Sequence, residues 1–158
     1  LVGDTGAKTI AANTFLIYRR PFGDFHLVAE VRLRNGNSGI QFRSARAPGE
    51  GWVVTGYQAD FSEDGERSAW GNFYEEKGRG RGVMQTPDAG WRVGKTVYRK
   101  GDWNTVEVMA RGPRMELKVN GTTTVVVTDE KSSDGVIALQ LHRGPAMRVE
   151  FRKIEVRK

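Results

Sequence analysis

The sequence contains no cysteine and only two histidines, His26 and His142. The absence of cysteine excludes disulfides, thiolate catalysis and Cys-based zinc sites. Two histidines argue against a histidine-rich metal centre. No apolar run approaches the roughly 18 residues that a membrane-spanning helix needs, and no signal peptide is visible. Because the chain starts at Leu1 rather than Met, we expect that it has been processed or trimmed.

Glycine, by contrast, is abundant, with 20 of 158 residues. The usual share is about 7%, so the excess predicts many tight turns and therefore many short strands. The length fits one domain, residues 1–158. Hydrophobic residues make up 38% and charged residues 28%, which is the composition of a soluble globular protein.

The net charge is +6, and basic residues are densest between Lys77 and Gly82. Alternating Gly and Arg can contact the phosphates of nucleic acids. The alternation spans only six residues, however, and no aromatic stacking platform is evident beside it. We therefore predict a solvated basic loop and no nucleic-acid partner.

Segments rich in β-branched and aromatic residues recur along the chain, separated by Gly, Asn or Asp. Asn120-Gly121 predicts a type I′ hairpin turn, because both residues tolerate positive φ. No segment shows sustained helical periodicity, and residues 77–95 are predicted to be a polar loop. About ten short strands without βαβ spacing predict an all-β fold, an antiparallel sandwich.

Strand alternation predicts a polar face shared by three strands. Side chains along a strand point alternately to opposite faces, so each of these strands buries its apolar residues and leaves two polar ones on the other side. The six residues are Gln41, Arg43, Gln58, Asp60, Gln140 and His142.

Such a face is either a solvated surface or a site for a hydroxyl-rich ligand. Solvated faces usually carry Lys, Glu and Thr, whereas glutamine dominates here and both donates and accepts hydrogen bonds. We therefore predict a sugar cleft, provided that the three strands are neighbours. Tyr74 and Glu75 could reach the same cleft from beside the Gly-rich loop, or merely end a strand.

The sequence gives weaker support to a serine nucleophile, to a glycosidase carboxylate pair and to calcium binding. No Gly-x-Ser-x-Gly elbow is present. Asp60 and Glu75 could act as a glycosidase pair, but the Glu-x-Asp-x-x-Glu motif of sandwich glucanases is missing. Glu63, Asp64 and Glu66 could bind calcium, although their spacing differs from that of an EF-hand loop and an acidic surface loop is the simpler interpretation.

Several motifs resemble the 3-keto-disaccharide hydrolase domain family, formerly a domain of unknown function. The most specific are the turn at residues 36–40 and the strands at residues 56–60 and 139–142. The resemblance extends from about Leu1 to Val156. The matching segments are Phe22-Gly23-Asp24-Phe25, residues 32–40, Gly56-Tyr57-Gln58-Ala59-Asp60, residues 70–76, Gly101-Asp102-Trp103-Asn104, residues 119–121, residues 137–142 and residues 149–154.

The resemblance implies a concanavalin A-like or laminin G-like jelly roll that acts on 3-keto glycosides. It implies cleavage by removal of the C2 proton, elimination and hydration, without flavin or nicotinamide; calcium stays an open possibility. Exported bacterial members imply a periplasmic or secreted location, and an N-terminal edge segment is expected to be missing. Many members carry Glu and Gln where this chain has Gln58 and Asp60, so Asp60 would have to take over as the base.

On this hypothesis, Asp60 and His142 serve as base or acid, and Arg43 stabilises the negative charge at the C3 oxygen. Glutamines bind the substrate hydroxyls, and three further residues are second-rank candidates. The glutamines are Gln41, Gln58 and Gln140, and the further candidates are Asn37, Tyr74 and Glu75.

The alternative is a carbohydrate-binding module without catalysis. Such modules typically stack sugar rings on exposed aromatic side chains, for which Trp52, Trp70 and Trp91 are candidates, while Trp103 is expected in the core. An interaction domain of a larger secreted protein is a third possibility.

Overall fold

The computed structural model describes residues 1–49, 51–63, 69–83 and 89–158, and within them eleven strands form two antiparallel sheets. We call the five-stranded sheet the front sheet and the six-stranded sheet the back sheet. In spatial order, the front sheet comprises β2 (Thr14–Phe22), β10 (Gly135–Leu141), β4 (Asn37–Arg46), β5 (Val54–Ser62) and β6 (Ala69–Glu76). The back sheet comprises β1 (Val2–Asp4), β11 (Arg148–Arg157), β3 (Phe25–Asn35), β7 (Asn104–Arg111), β8 (Arg114–Val119) and β9 (Thr122–Thr128).

The main hydrophobic core lies between the two sheets. In β3, buried and half-buried residues alternate from Phe25 to Leu33, as expected of a strand that is apolar on one side. Aromatic rings from the front sheet, including Phe42, Tyr57 and Phe73, pack against each other in this core. The predicted antiparallel sandwich is therefore confirmed. Within the described ranges, no helix is long and apolar enough to cross a membrane.

The hairpin between β8 and β9 has the predicted turn. Asn120 has a φ of 50° and Gly121 a φ of 81°, which is the left-handed pair that a type I′ turn requires. The Asn120 side chain also donates to the Val97 carbonyl oxygen at 2.9 Å.

The prediction of a polar loop over residues 77–95 is wrong in part. A 3₁₀ turn covers Arg81–Val83, and a helix, α1, covers Ala89–Val97. The helix contains two glycines and so has low intrinsic propensity. A Cβ atom at Gly94 would lie 1.7 Å from the Trp70 carbonyl oxygen. Close packing of α1 on β6 therefore stabilises a helix that local sequence does not predict.

A β-bulge interrupts β4 at Arg43 and Ser44. The registers with β5 and with β10 both shift there, and Arg43 has a φ of 45°. On either side of the bulge lie Gly56 and Gly135, where a Cβ atom would come within 2.7 Å of Ser44 atoms. The bulge ends the simple alternation of faces along β4.

Trp52 is exposed, as the sequence-based expectation required, whereas Trp70 and Trp103 differ from it. Trp70 is fully buried, stacked between Phe61 and Tyr98, so it cannot hold a sugar. Trp103, expected in the core, is instead half-buried, and the guanidinium groups of Arg32 and Arg152 lie 4.6 and 3.9 Å from its ring centroid.

Candidate functional site

The outer face of the front sheet has a polar half and an apolar half. Cross-strand pairing places Gln41 beside Gln58, and Gln58 beside Tyr74. Farther along the same face, Ala138 lies between Gln41 and Ile17. The strands β10, β4 and β5 are neighbours, as the predicted polar face required.

The polar half lines a cavity of about 470 Å³. Six of the nine candidate site residues line it, from four segments of the chain. They are Asn37, Gln58, Asp60, Tyr74, Gln140 and His142. The structure thus brings the Asp60 carboxylate and the His142 imidazole to one cavity.

A chain of amide groups leads across the strands to Asp60. The Ser44 hydroxyl donates to Gln41 Oε1 at 2.8 Å, and Gln41 Nε2 donates to Gln58 Oε1 at 2.6 Å. Gln58 Nε2 then donates to Asp60 Oδ1 at 3.1 Å and to Gln140 Oε1 at 3.4 Å. Gln41 is fully buried and fixes Gln58 in place, while Gln58 is the one that lines the cavity.

A glycine makes room for this arrangement. Gly39 is the cross-strand partner of Asp60, and a Cβ atom there would lie 2.4 Å from Gln58 Cδ. The Gln58 side chain therefore lies directly over the Gly39 backbone. Because Gln58 has both amide hydrogens engaged, its orientation toward Asp60 is well defined.

Asp60 is only 6% exposed, and burial raises its pKa to about 6. Hydrogen bonds from Gln58 and Asn37 and the charge of Arg81 act in the opposite direction, and the charge of Glu76 adds to the rise. Burial disfavours the charged form of a carboxyl group more than these interactions favour it. The result is a carboxylate that is more basic than usual yet ionised near neutral pH.

Several charged residues of the cavity were not among the candidates. Glu76, Lys77, Arg81 and Arg143 line it, and Asn13 Nδ2 donates to Glu76 Oε1 at 3.2 Å. Burial, followed by the charge of Glu76, raises the pKa of Tyr74. Lys77 and Arg81 belong to the basic segment interpreted as solvated. The dense charge was visible in the sequence, but the turn that brings it to the cavity was not.

Arg43 lies elsewhere, and the expectation that it shares this face is wrong. Because of the bulge, its guanidinium group turns away and is 1% exposed. It donates to the carbonyl oxygens of Gly23 at 3.1 Å and Gly112 at 2.7 Å, and it contacts Asp24 Oδ1 at 3.2 Å. Arg43 therefore joins two turns at one end of the sandwich.

Glu75 also lies apart from the cavity. It pairs across the strands with core-facing Tyr57, on the side of the sheet opposite to Gln58. Burial acts to raise its pKa, but hydrogen bonds from Lys131 and Arg79 outweigh it, so the pKa is lowered. Arg79 in turn binds Asp129 at 2.7 Å. Glu75 is thus part of an ion-pair network.

In the part of the chain that the structure describes, no group of three or more His, Asp or Glu side chains is placed to hold a metal ion. Of the predicted acidic loop, Glu63 is described and borders a separate cavity beside Asn37 and His142. Asp64 and Glu66 lie outside the described residues.

Comparison with solved structures supports the fold. A candidate glycosyl hydrolase from Parabacteroides distasonis superimposes with a TM-score of 0.66 at 18% identity, over 98% of this chain and 78% of that one. The carbohydrate-binding module CBM66 from Bacillus subtilis gives 0.55 at 12% identity, over 99% and 95%. A protein with a galectin-like fold, also from Bacillus subtilis, gives 0.62 at 11% identity, over 91% and 76%.

No curated protein matches the chain in sequence. A family model does match, and it covers residues 2–157. The galectin-like sandwich and this match agree with the resemblance found in the sequence motifs. The chain belongs to the family of the 3-keto-alpha-glucoside-1,2-lyase-like domain, also known as the 3-keto-disaccharide hydrolase domain.

Proposed function

We propose that this protein cleaves 3-keto glycosides by elimination across C1 and C2 followed by hydration. The observation that carries the proposal is Asp60, a buried carboxylate with a raised pKa in a cavity lined by amide groups. The family description supports the substrate class.

The chemistry follows from the ketone at C3, which acidifies the hydrogen on C2. A base removes this proton, and the electron pair of the C–H bond forms an enolate. The enolate then expels the C1 substituent, which leaves as an alcohol after taking a proton. Water adds to C1 of the resulting enone and a proton returns to C2, so the products are the free 3-keto sugar and the alcohol.

Asp60 is the proposed base. A catalytic base works best when its pKa is close to the working pH, and a pKa of about 6 satisfies this better than that of an ordinary aspartate. Gln58 and Asn37 hold the carboxylate by hydrogen bonds. These neutral donors orient Asp60 without the strong pKa decrease that a direct ion pair would cause.

The remaining roles fall to other residues of the cavity. Arg81 and Arg143 replace Arg43 as the proposed stabilisers of the enolate, because their positive charge borders the same space. His142 is the proposed acid that protonates the leaving oxygen. Gln140 and Asn37 offer hydrogen bonds to sugar hydroxyls. A periplasmic or secreted location would expose the site to extracellular glycosides.

The test is turnover of methyl 3-keto-α-glucoside, followed by methanol release. We expect turnover by the wild type, a loss of about 10³-fold in kcat for Asp60→Asn, and a smaller loss for His142→Ala. Glu30→Gln is the matched control, because Glu30 is a carboxylate of the back sheet, bound to Arg152 at 2.5 Å, outside the cavity. Wild-type rates in Asp60→Asn would overturn the role of Asp60.

A carbohydrate-binding module is the second candidate. The match with CBM66 over nearly the whole of both chains favours it, as does Trp52, which is 57% exposed. Saturable binding of unoxidised glycans, with no turnover of any 3-keto glycoside, would favour this function over catalysis.

A further inference from the structure

The apolar half of the outer face is a second hydrophobic cluster, separate from the main core. Its buried members come from β2, β10 and the segment that leads into β5. They are Phe15, Ala47, Val53, Val54 and Ala138, with Ile17 packed against them. The cluster lies on the side of the front sheet that faces away from the back sheet, and its five buried members are at most 6% exposed.

Trp52 lies at the edge of this half. The guanidinium group of Arg46 lies 4.8 Å from the centroid of its ring, and Arg46 Nε donates to the Gly51 carbonyl oxygen at 2.9 Å. The guanidinium group therefore supports the indole, while 57% of the Trp52 surface stays exposed. A large aromatic side chain held in this way is suited to stacking against a flat ligand.

The apolar half is continuous with the polar cavity. A cavity of about 790 Å³ wraps around the edge strand β2. Phe15, Ile17, Trp52 and Gln140 line it on the outer face, and Leu16 and Leu139 line it on the side that faces the back sheet. Gln140 also lines the polar cavity, and its cross-strand partner in β2 is Phe15. A ligand whose sugar occupies the polar cavity would therefore continue directly onto an apolar surface.

We infer that the apolar half binds the leaving group, and that this group is an aromatic or similarly apolar aglycone. The inference rests on the proposed function, which puts the 3-keto sugar in the polar cavity. The bond that breaks joins C1 to the leaving oxygen, so the leaving group projects out of the polar cavity. The route past Gln140 leads to Phe15 and Trp52.

A second sugar fits this surface less well than an aromatic ring. Its hydroxyl groups would lose water against the half-buried Ile17, whose side chain offers no hydrogen bonds in return, and unpaired polar groups are costly. An aromatic ring would bury apolar area and stack on Trp52, and both of these contributions to the free energy of binding are favourable.

The experiment compares benzyl and methyl 3-keto-α-glucosides, whose leaving alcohols have similar acidity, so that a difference reflects binding rather than leaving-group chemistry. A 3-keto disaccharide serves as the third substrate. We expect kcat/KM to be about tenfold higher for the benzyl than for the methyl compound, from one stacked ring. In Trp52→Ala, the ratio of kcat/KM between the benzyl and methyl compounds should fall most of the way to one.

Tyr18→Ala is the matched control. Tyr18 has the same exposure as Trp52, 57%, and lies on β2. Its cross-strand partner is Ile137 of the main core, so it points to the opposite face from Ile17. The benzyl-to-methyl ratio should be unchanged in this variant.

Equal kcat/KM values for the benzyl and methyl compounds, or a higher value for the disaccharide, would overturn the inference. Calorimetry with unoxidised benzyl α-glucoside separates this failure from failure of the proposed function. If no 3-keto glycoside is cleaved but Trp52→Ala weakens benzyl glucoside binding about tenfold, the aromatic subsite stands and the catalytic proposal falls. If binding is also independent of Trp52, both fall.

Discussion

Asp60 and Glu75 are both buried carboxylates of the front sheet, yet their surroundings move their pKa values in opposite directions. Asp60 accepts hydrogen bonds from amides on the outer face, and burial raises its pKa to about 6. Glu75 lies on the inner side and binds Lys131 and Arg79, which lower its pKa despite burial. The difference suggests a division of labour, in which ion pairs hold the fold and neutral amides keep a carboxylate basic.

Removing each of the two negative charges in turn tests this difference between Asp60 and Glu75 most directly. We expect Asp60→Asn to lower kcat on a 3-keto glycoside by about 10³-fold, because the base is lost. Glu75→Gln should leave kcat within about twofold, since Glu75 lies on the other face of the sheet. Steady-state kinetics on both variants provides the measurement. A larger loss in Glu75→Gln than in Asp60→Asn would reverse the assignment.

A second substitution disturbs the amide chain and keeps Asp60. In Gly39→Ala the new methyl group would overlap Gln58, 2.4 Å from its Cδ atom, so Gln58 must move away from Asp60. We expect kcat/KM to fall about 100-fold through misplacement of the base. Gly23→Ala is the control, because a Cβ atom there lies no closer than 3.6 Å to any neighbour. Equal activity of the two variants would show that the position of Gln58 does not matter.

The substitutions Asp60→Asn and Glu75→Gln should change the free energy of unfolding in opposite directions. The folded-state pKa of Asp60 lies above its ordinary value of 3.8, so its ionisation progressively destabilises the fold between about pH 4 and pH 6, and the full destabilisation persists above pH 6. Asp60→Asn should therefore raise the free energy of unfolding at pH 7 by on the order of 2 kcal/mol. This gain should disappear as the pH falls below about 4.

Glu75→Gln should instead lower the free energy of unfolding at pH 7 by about 1 kcal/mol, a modest loss because its partners Arg79 and Lys131 are 40% and 55% exposed. Its lowered pKa means that the loss should shrink once acid protonates the wild-type carboxyl group. Urea unfolding at pH 4 and pH 7 measures both variants. Destabilisation by Asp60→Asn at pH 7 would contradict the raised pKa.

The wild type itself should respond to pH. A base with a pKa of about 6 must be deprotonated to act, so kcat/KM should fall about tenfold for each pH unit below 6. Glu75→Gln should show the same profile. A profile that stays flat down to pH 5, with the protein folded by circular dichroism, would assign the proton transfer to another group.

Strand alternation was sufficient to predict most of the polar face. It holds through Gln41, Gln58, Asp60 and Gln140, because each of these strands is regular at those positions. It fails at Arg43, where the bulge inserts a residue. Gly56 and Gly135 accommodate the bulge from the neighbouring strands, but their significance depends on a register that the sequence does not reveal.

The helix α1 and the basic turn could not be predicted from the local sequence, for a different reason. α1 forms because Gly94 packs on Trp70, a contact between distant segments. Arg81 reaches the cavity through a turn in which the Gly80 carbonyl oxygen accepts a hydrogen bond from the Glu75 N–H at 2.9 Å. In both cases tertiary contacts decide the local structure, so propensity and charge density alone pointed to a solvated loop.

Proton transfer at C2 is the step that tests the account most directly. In D₂O, the account predicts that the wild type releases 3-keto sugar carrying deuterium at C2 and that Asp60→Asn forms almost none. Incubating authentic product with Asp60→Asn corrects for spontaneous exchange. Cleavage by the wild type with the original hydrogen retained at C2 would contradict both the elimination and the role of Asp60 as its base.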